Sequence, residues 1–448
     1  MSRSRRLARK VALAVFLAGL GYVTVDRAAL RPVKLVDSTV YMAAGRSILG
    51  GGQDLYRVTD DRGLHYTYPP PFAVLFSPIA LLPPVAAAAL WYALTVALLG
   101  LGLRSALICA TPDGRPIDAT LVWLPLLVCA DPILGTITRG QLSILMFACS
   151  AIALDWFMRG SRFSSGVLIG FSTVLKVYTA LLIPYFIVRR EWRALQGVVI
   201  GGLGAALIPM LAIGPQLTVS HWTYWLTRIA LPSSGPPDPS DPLFNDLTNL
   251  DFAKNASLLA SFTHINTFFP ALQPLNDQGW TRLIAQMISL GLFVALILVW
   301  RHGVTIPGRY RTVFEWSLAA MIGIVILPVA WVHYFCMLII PLTTIAAYLR
   351  YQPAGPHARR LRHATAAAAG LAAIFMLTSA LRGPLDKTGL HDAMMMTRAF
   401  GAYCWATLLL CGTMFYVLFG NVTLGTDFSG HALSPPAPAE IRRRTSAR

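Results

Sequence analysis

Charge is scarce in this chain: 13% of its 448 residues are charged and 55% are hydrophobic. That is about half the charge share of an average soluble domain, so nothing here reads as a water-soluble domain large enough to work alone. Cysteine is sparse too, with Cys109, Cys129, Cys149, Cys336, Cys404 and Cys411 scattered through or beside apolar stretches and no Cys-x-x-Cys pair. They read as small buried hydrophobes, not as a disulfide framework or a metal cluster. His-Glu-x-x-His, P-loop and nucleophile-elbow patterns are all missing, which leaves metal hydrolysis, ATP hydrolysis and serine-esterase chemistry without support. The apolar runs also lack the period-2 alternation of a barrel strand, so helices are expected to satisfy the backbone inside lipid. A basic head and an apolar run open the chain, but no small-residue cleavage site follows, and an uncleaved first span is expected.

Acidic residues number 20 against 37 Lys and Arg, a formal charge of +17. The excess sits in short connectors beside apolar segments, at Arg3 to Lys10, Arg159 and Arg162, Arg189 to Arg193, Arg301 to Arg311, Arg359 to Arg362 and Arg442 to Arg444. Cytoplasmic loops of membrane proteins carry that bias. No aromatic-interleaved basic patch accompanies it, so nucleic acid is not an expected partner.

With the basic clusters placed inside, the pattern predicts an all-α, polytopic membrane protein of about twelve spans, forming one domain over 1–448. The spans fall near 11–27, 86–108, 119–135, 142–157, a pair squeezed into 164–188, 195–214, 283–300, 315–331, 334–349, 365–380 and 402–420. Residues 72–84, broken by Pro78, Pro83 and Pro84, predict an interfacial or bent helix. Both termini fall inside, including a tail at 421–448, while the loop 31–70 and the long polar segment 215–282 fall outside. The Pro-, Ser- and Asp-rich stretch 232–242 reads as a mobile connector.

This threading brings distant polar residues to one face. Asp37 is four residues before Tyr41 and reads either as a helix cap or solvated acid, or as a catalytic carboxylate that accepts a proton from an attacking hydroxyl. Tyr66 and Tyr68 precede Pro69-Pro70-Pro71 and read as a rigid interfacial turn or as the lining of a cavity beside Asp37. Arg139-Gly140-Gln141 opens a span at the outer surface, where arginine suits a phosphate or the lipid headgroups and glutamine orients an oxygen. Lys176 interrupts apolar sequence, and a buried ammonium needs an anion, water or a route to the surface. Lys254, Asn255 and Ser257 belong to a polar group in the long segment, and His221 and His264 are weaker candidates. His333 follows Pro328 and Trp331 between two spans and suits acceptor orientation, contact with a leaving phosphate or proton handling, or else a core position bonded to a backbone carbonyl.

In this order the motifs resemble the membrane glycosyltransferases of family 87, in the integral-membrane GT-C class. Asp37 with Tyr41, Tyr66-Thr67-Tyr68-Pro69-Pro70, Gly140-Gln141, Lys176, Asn255-Ala256-Ser257 and Pro328-Val329-Ala330-Trp331-Val332-His333 carry the resemblance. It implies a polyprenyl-phosphate sugar as donor, no cofactor, no required metal, and Asp37 as catalytic base. Ala256 stands where the family commonly has glutamine, which leaves that contact open. Within the family the pattern looks most like mycobacterial alpha-1,2-mannosyltransferases, which implies a glycolipid or lipoglycan acceptor and a bacterial plasma membrane with the site facing outward. Arabinofuranosyl transfer is the alternative donor class, and transport of lipid or sugar the alternative outside enzymes.

Overall fold

A computed structural model describes residues 3–34, 36–231, 255–268, 278–302, 306, 308–351, 356–380, 397 and 400–420. The tail at 421–448, the connector 232–242 and Lys254 lie outside these residues. In chain order the α-helices are α1 (Arg3–Val25), α2 (Ser38–Leu49), α3 (Pro70–Ala80), α4 (Pro84–Ala110), α5 (Ala119–Val128), α6 (Ala130–Arg139), α7 (Ser143–Met158) and α8 (Arg162–Leu175). They continue with α9 (Leu182–Val188), α10 (Trp192–Tyr224), α11 (Leu258–Phe268), α12 (Gln278–Arg301), α13 (Gly308–Val325), α14 (Ile339–Tyr351), α15 (Pro356–Ala380) and α16 (Ala402–Gly420). Among the described residues, extended pairing is limited to two isolated bridges, Thr59 with His65 and Asn255 with Trp331. All six cysteines are free and buried, as expected.

Among the described residues, seven helical stretches are long and apolar enough to cross a membrane, or eight if α5 and α6 form one span bent by 66°. The sequence predicts about twelve crossings, a number that these helices do not confirm, and several of the expected spans are short or broken. The region 164–188 is α8, an extended Lys176, a 3₁₀ turn over Val177–Leu181 and then α9, so it is a pair of short broken helices, as its length requires. The segment near 315–331 is helical only to Val325, and its helix begins with Arg309, Arg311 and Glu315 inside it. Pro78 is accommodated within α3, a short helix at the position predicted for an interfacial one.

Several of the long helices are apolar yet poorly covered by protein, and α10 exposes Leu203, Leu207 and Leu211. A surface of that kind is stable only against lipid, which supplies the apolar solvent that water does not. The tightest helix pair is α8 with α10. Gly166 and Gly170 face the backbone of Ala194 and Val198, while Gly197 and Gly201 face that of Phe163 and Val167, and an added methyl at any of the four would collide with a carbonyl oxygen. Both helices thus carry a Gly-x-x-x-Gly stripe, which lets backbones touch where no hydrophobic drive exists between helices in lipid.

The connections sort the molecule into two ends. Arg159, Arg162, Arg189 and Arg311 lie at one end of α7, α8, α9 and α13, respectively. At the other end of α7, α8 and α13 stand Gln141, Lys176 and the turn leading to His333.

Candidate active site

The site is assembled around a tight corner between α6 and α7. Gly140 ends α6 in the left-handed region (φ 71°), and a Cβ there would also strike the Ser38 side chain. Only glycine meets both demands. Trp91 Nε1 donates to the Gly140 carbonyl at 2.9 Å, and Gln141 N donates to Thr136 O at 2.9 Å. The corner therefore holds the first turn of α2 directly against Gln141.

Asp37 sits at the N-cap position of α2 but makes no side-chain cap bond to that helix. A capping aspartate would normally satisfy the free N–H groups of the first turn. Here both oxygens are turned elsewhere: Oδ1 accepts from Arg62 Nη2 at 2.6 Å, and Oδ2 accepts from Gln141 Nε2. The cap reading of Asp37 thus fails on its own geometry.

Gln141, nearly fully buried, relays this contact inward. Tyr68 Oη donates to Gln141 Oε1 at 2.9 Å, and Tyr41 Oη lies 2.9 Å from Tyr68 Oη and 3.3 Å from Gln141 Oε1. Burial pushes the phenols of Tyr41 and Tyr68 up, and the neighbouring Tyr68 and Tyr334 respectively add to it. Both hydroxyls therefore stay protonated and serve as donors.

Lys176 reaches the same network from the break after α8. Its extended backbone (φ −158°) turns Nζ over the Tyr334 ring at 4.0 Å, with the Tyr68 ring at 5.3 Å and Tyr178 at 6.0 Å. Its one hydrogen-bond contact, to Tyr68 Oη at 3.5 Å, is at the outer limit for such a bond. Among the described residues Lys176 has no carboxylate partner; aromatic faces hold it in place without neutralising it. Such an ammonium is ready for an anionic ligand.

His333 stands beside Tyr334, ring centroids 4.9 Å apart, and its enclosed Nε2 has no hydrogen-bond partner among the described residues. The charges of Lys176 and Arg139 both reach it. Arg139, half-buried at the end of α6, forms no ion pair with any described residue.

The Asn255-x-Ser257 motif forms a latch through Asn255 Oδ1 and Ser257, while the buried Asn255 Nδ2 has no hydrogen-bond partner among the described residues. Asn255 Oδ1 accepts from Ala330 N at 3.1 Å and Ser257 N at 3.2 Å, Ala256 N donates to Ala330 O, and Ser257 Oγ donates to Pro328 O at 3.0 Å. Together with the Asn255–Trp331 bridge, these bonds latch the start of α11 to the turn that carries His333. Ala256 takes part through its backbone alone.

The structure thus joins Asp37, Tyr41, Tyr68, Gln141 and Lys176 in one network, with His333 and Arg139 beside it. Tyr66 is buried with its hydroxyl donating to Pro69 O, so it shapes the triple-proline turn and does not line the polar network. Trp331, Asn255 and Ser257 serve the latch. His221 contacts Gly52 O and ties the first loop to α10, and His264 is buried on α11. Sequence reasoning missed Arg62, Asp60 and Tyr334. The signal for the first two was present in Asp60-Asp61-Arg62-Gly63, a turn sequence with an arginine beside two acids.

The profile of glycosyltransferase family 87 matches residues 66–328, more than half of the chain, a range that excludes both Asp37 and His333. A polyprenol-phosphate-mannose-dependent alpha-(1-2)-phosphatidylinositol mannoside mannosyltransferase of Mycobacterium tuberculosis is 31% identical over 244 residues. That match spans 49% of this chain and 55% of the relative, little more than half its length. A polyprenol-phosphate-mannose-dependent alpha-(1-2)-phosphatidylinositol pentamannoside mannosyltransferase of Mycolicibacterium smegmatis is 24% identical over 348 residues, 75% of each protein. The crystal structure of apo ArnT from Cupriavidus metallidurans aligns with 92% of this chain and 77% of its own at 14% identity, with a TM-score of only 0.35. On the extent of the profile match, the chain belongs to glycosyltransferase family 87.

Proposed function

We propose that the protein transfers mannose from a polyprenyl-phosphate mannose to a mannosylated glycolipid or lipoglycan, forming an alpha-1,2 linkage with inversion at the anomeric carbon. The observation that carries this reading is the junction of Asp37, Gln141, Tyr68 and Lys176: a carboxylate beside a cation that no protein acid neutralises among the described residues. Family membership and the donors named for the two relatives support the substrate class.

The chemistry follows from that junction. A sugar hydroxyl of the acceptor attacks the anomeric carbon, its proton passes to an Asp37 carboxylate oxygen, and the bond from that carbon to the donor phosphate breaks. The phosphate departs on the opposite face with its lipid. Charge builds on the leaving phosphate in the transition state, and fixed cations and donors there lower the barrier because they need no reorganisation. Lys176, Arg139 and His333 are assigned that task. Gln141 and the two tyrosines orient the carboxylate, and the apolar helix faces leave the donor's tail in lipid. The basic end of the molecule suits the cytoplasm, which supports a reaction on the outer face of a bacterial plasma membrane.

The test is transfer by purified protein in liposomes, offered polyprenyl-phosphate mannose and a mannosylated phosphatidylinositol beside pentose donors. Mannose incorporation with an alpha-1,2 linkage is expected. Pentose incorporation alone would move the chain to another donor class, and substrate flux without product would make it a transporter.

A further inference from the structure

The first outer loop contains a device that the sugar-transfer reading does not use. Thr59 and His65 pair across a short hairpin whose tip is Asp60-Asp61-Arg62-Gly63. Asp60, its side chain fully buried, accepts from the backbone N–H groups of Arg62 (2.8 Å) and Leu64 (3.1 Å) through Oδ1. Its Oδ2 accepts from Arg62 Nε at 2.7 Å. One carboxylate thus fixes both the turn and the guanidinium it carries. The hairpin is tied back to the Asp37 segment by Lys34 N donating to Asp61 Oδ2 at 2.7 Å. From this mount Arg62 Nη2 reaches Asp37 Oδ1 at 2.6 Å, with side-chain exposures of 23% and 18%.

We infer that Arg62 is the positioning residue of the general base: its guanidinium fixes the Asp37 carboxylate in one orientation, and Asp60 holds Arg62 in place. The inference rests on the proposed role of Asp37. Asp37 and Asp60 are two carboxylates bridged by one guanidinium, and without that bridge they repel each other and the Asp37 oxygen loses its fixed partner. Burial works against the charge of Arg62, but the hydrogen bonds it donates to both acids, with their charges, outweigh it and hold its pKa above the ordinary value. The other ionisable groups coupled to Asp37 are the cationic side chains of Lys176 and Arg27 and the neutral phenols of Tyr41, Tyr68 and Tyr334. All five remain when Arg62 is replaced.

The experiment measures sugar transfer for the full-length protein and for Arg62→Met, Arg62→Lys and Asp37→Asn in liposomes. For Arg62→Met the maximal rate is expected to fall about 30-fold with little change in donor KM, as for an impaired general base. Arg62→Lys should restore part of the rate, because it returns the charge without the fork. An unchanged maximal rate in Arg62→Met, or a loss confined to donor KM, overturns the inference. If Arg62→Met does not fold, Arg62→Lys decides: a reduced maximal rate at unchanged donor KM supports positioning, and a wild-type rate overturns it. A fully active Asp37→Asn would remove the base assignment itself; an inactive Asp37→Asn beside a normal Arg62→Met would remove only the role of Arg62.

Discussion

Two clusters of charged side chains stand at opposite ends of α7, about 24 Å apart for a helix of that length. At the basic end the acids are matched: Glu315, fully buried, meets Arg311 at 2.8 Å and Arg189 at 3.9 Å, Asp155 meets Arg159 at 2.8 Å, and Glu191 meets Arg162 at 3.4 Å. Other arginines there, such as Arg193 and Arg301, are exposed, where water or headgroups solvate them. At the other end Lys176 and Arg139 are half-buried with no acid of their own among the described residues, while Asp37 shares Arg62 with Asp60. Desolvated charge is costly unless paired. A cluster that closes its own pairs serves the fold, and the proposed function gives the cations left without an acid among the described residues to the donor phosphate.

Breaking each cluster separates these roles. Glu315→Ala removes the shared acid of two arginines and is expected to cost about 3–5 kcal/mol of stability, as for other buried pairs that lose one partner. Thermal unfolding in detergent measures that loss, and transfer per folded molecule should be unchanged. Lys176→Met has the reverse signature. It strands no acid, so the melting temperature should hold, while steady-state transfer falls about 100-fold, equivalent to about 2.7 kcal/mol of lost transition-state stabilisation.

Gly140→Ala tests whether the corner itself matters. A side chain at φ 71° that also meets Ser38 should cost about 1–2 kcal/mol for the left-handed backbone and slow transfer by displacing Gln141 from Asp37. Unchanged kinetics would show that the corner does not set the site. The smallest effect belongs to Arg57→Gln, whose partner Asp54 lies three residues away with both side chains exposed, and for which neither melting nor transfer should change measurably.

Much of this architecture is legible in the amino-acid sequence. Hydropathy locates the long helices, Pro78 marks a short one, and Lys176 announces a break by sitting where no ammonium belongs in a continuous span. The side-sorting of basic loops then places Asp37, Gln141, Lys176 and His333 together. The span count is less legible because hydropathy alone runs on through helix breaks such as that between α5 and α6, although Asp131-Pro132 just after Cys129 mark it: Pro132 cannot bond the Val128 carbonyl that ends α5. The Asn255-x-Ser257 motif is visible, but its latch to Pro328 and Ala330 depends on contacts across 71 and 75 residues. Arg62 escapes because its partner Asp37 is set by how a hairpin folds back, and hydropathy carries no information on that. Tyr334 reads as one more apolar residue of a span until its ring is seen beneath Lys176.

The central claim is that chemistry resides in the cluster of Asp37 and Lys176, and the same substitution at both ends tests it most directly. Asp37→Asn and Asp155→Asn each exchange a carboxylate for its isosteric amide. The account predicts that Asp37→Asn, folded and membrane-inserted, loses about 100-fold or more of mannose transfer from polyprenyl-phosphate mannose, the usual share of a general base, while Asp155→Asn retains it. Transfer that survives Asp37→Asn, or falls equally in both variants, would contradict it.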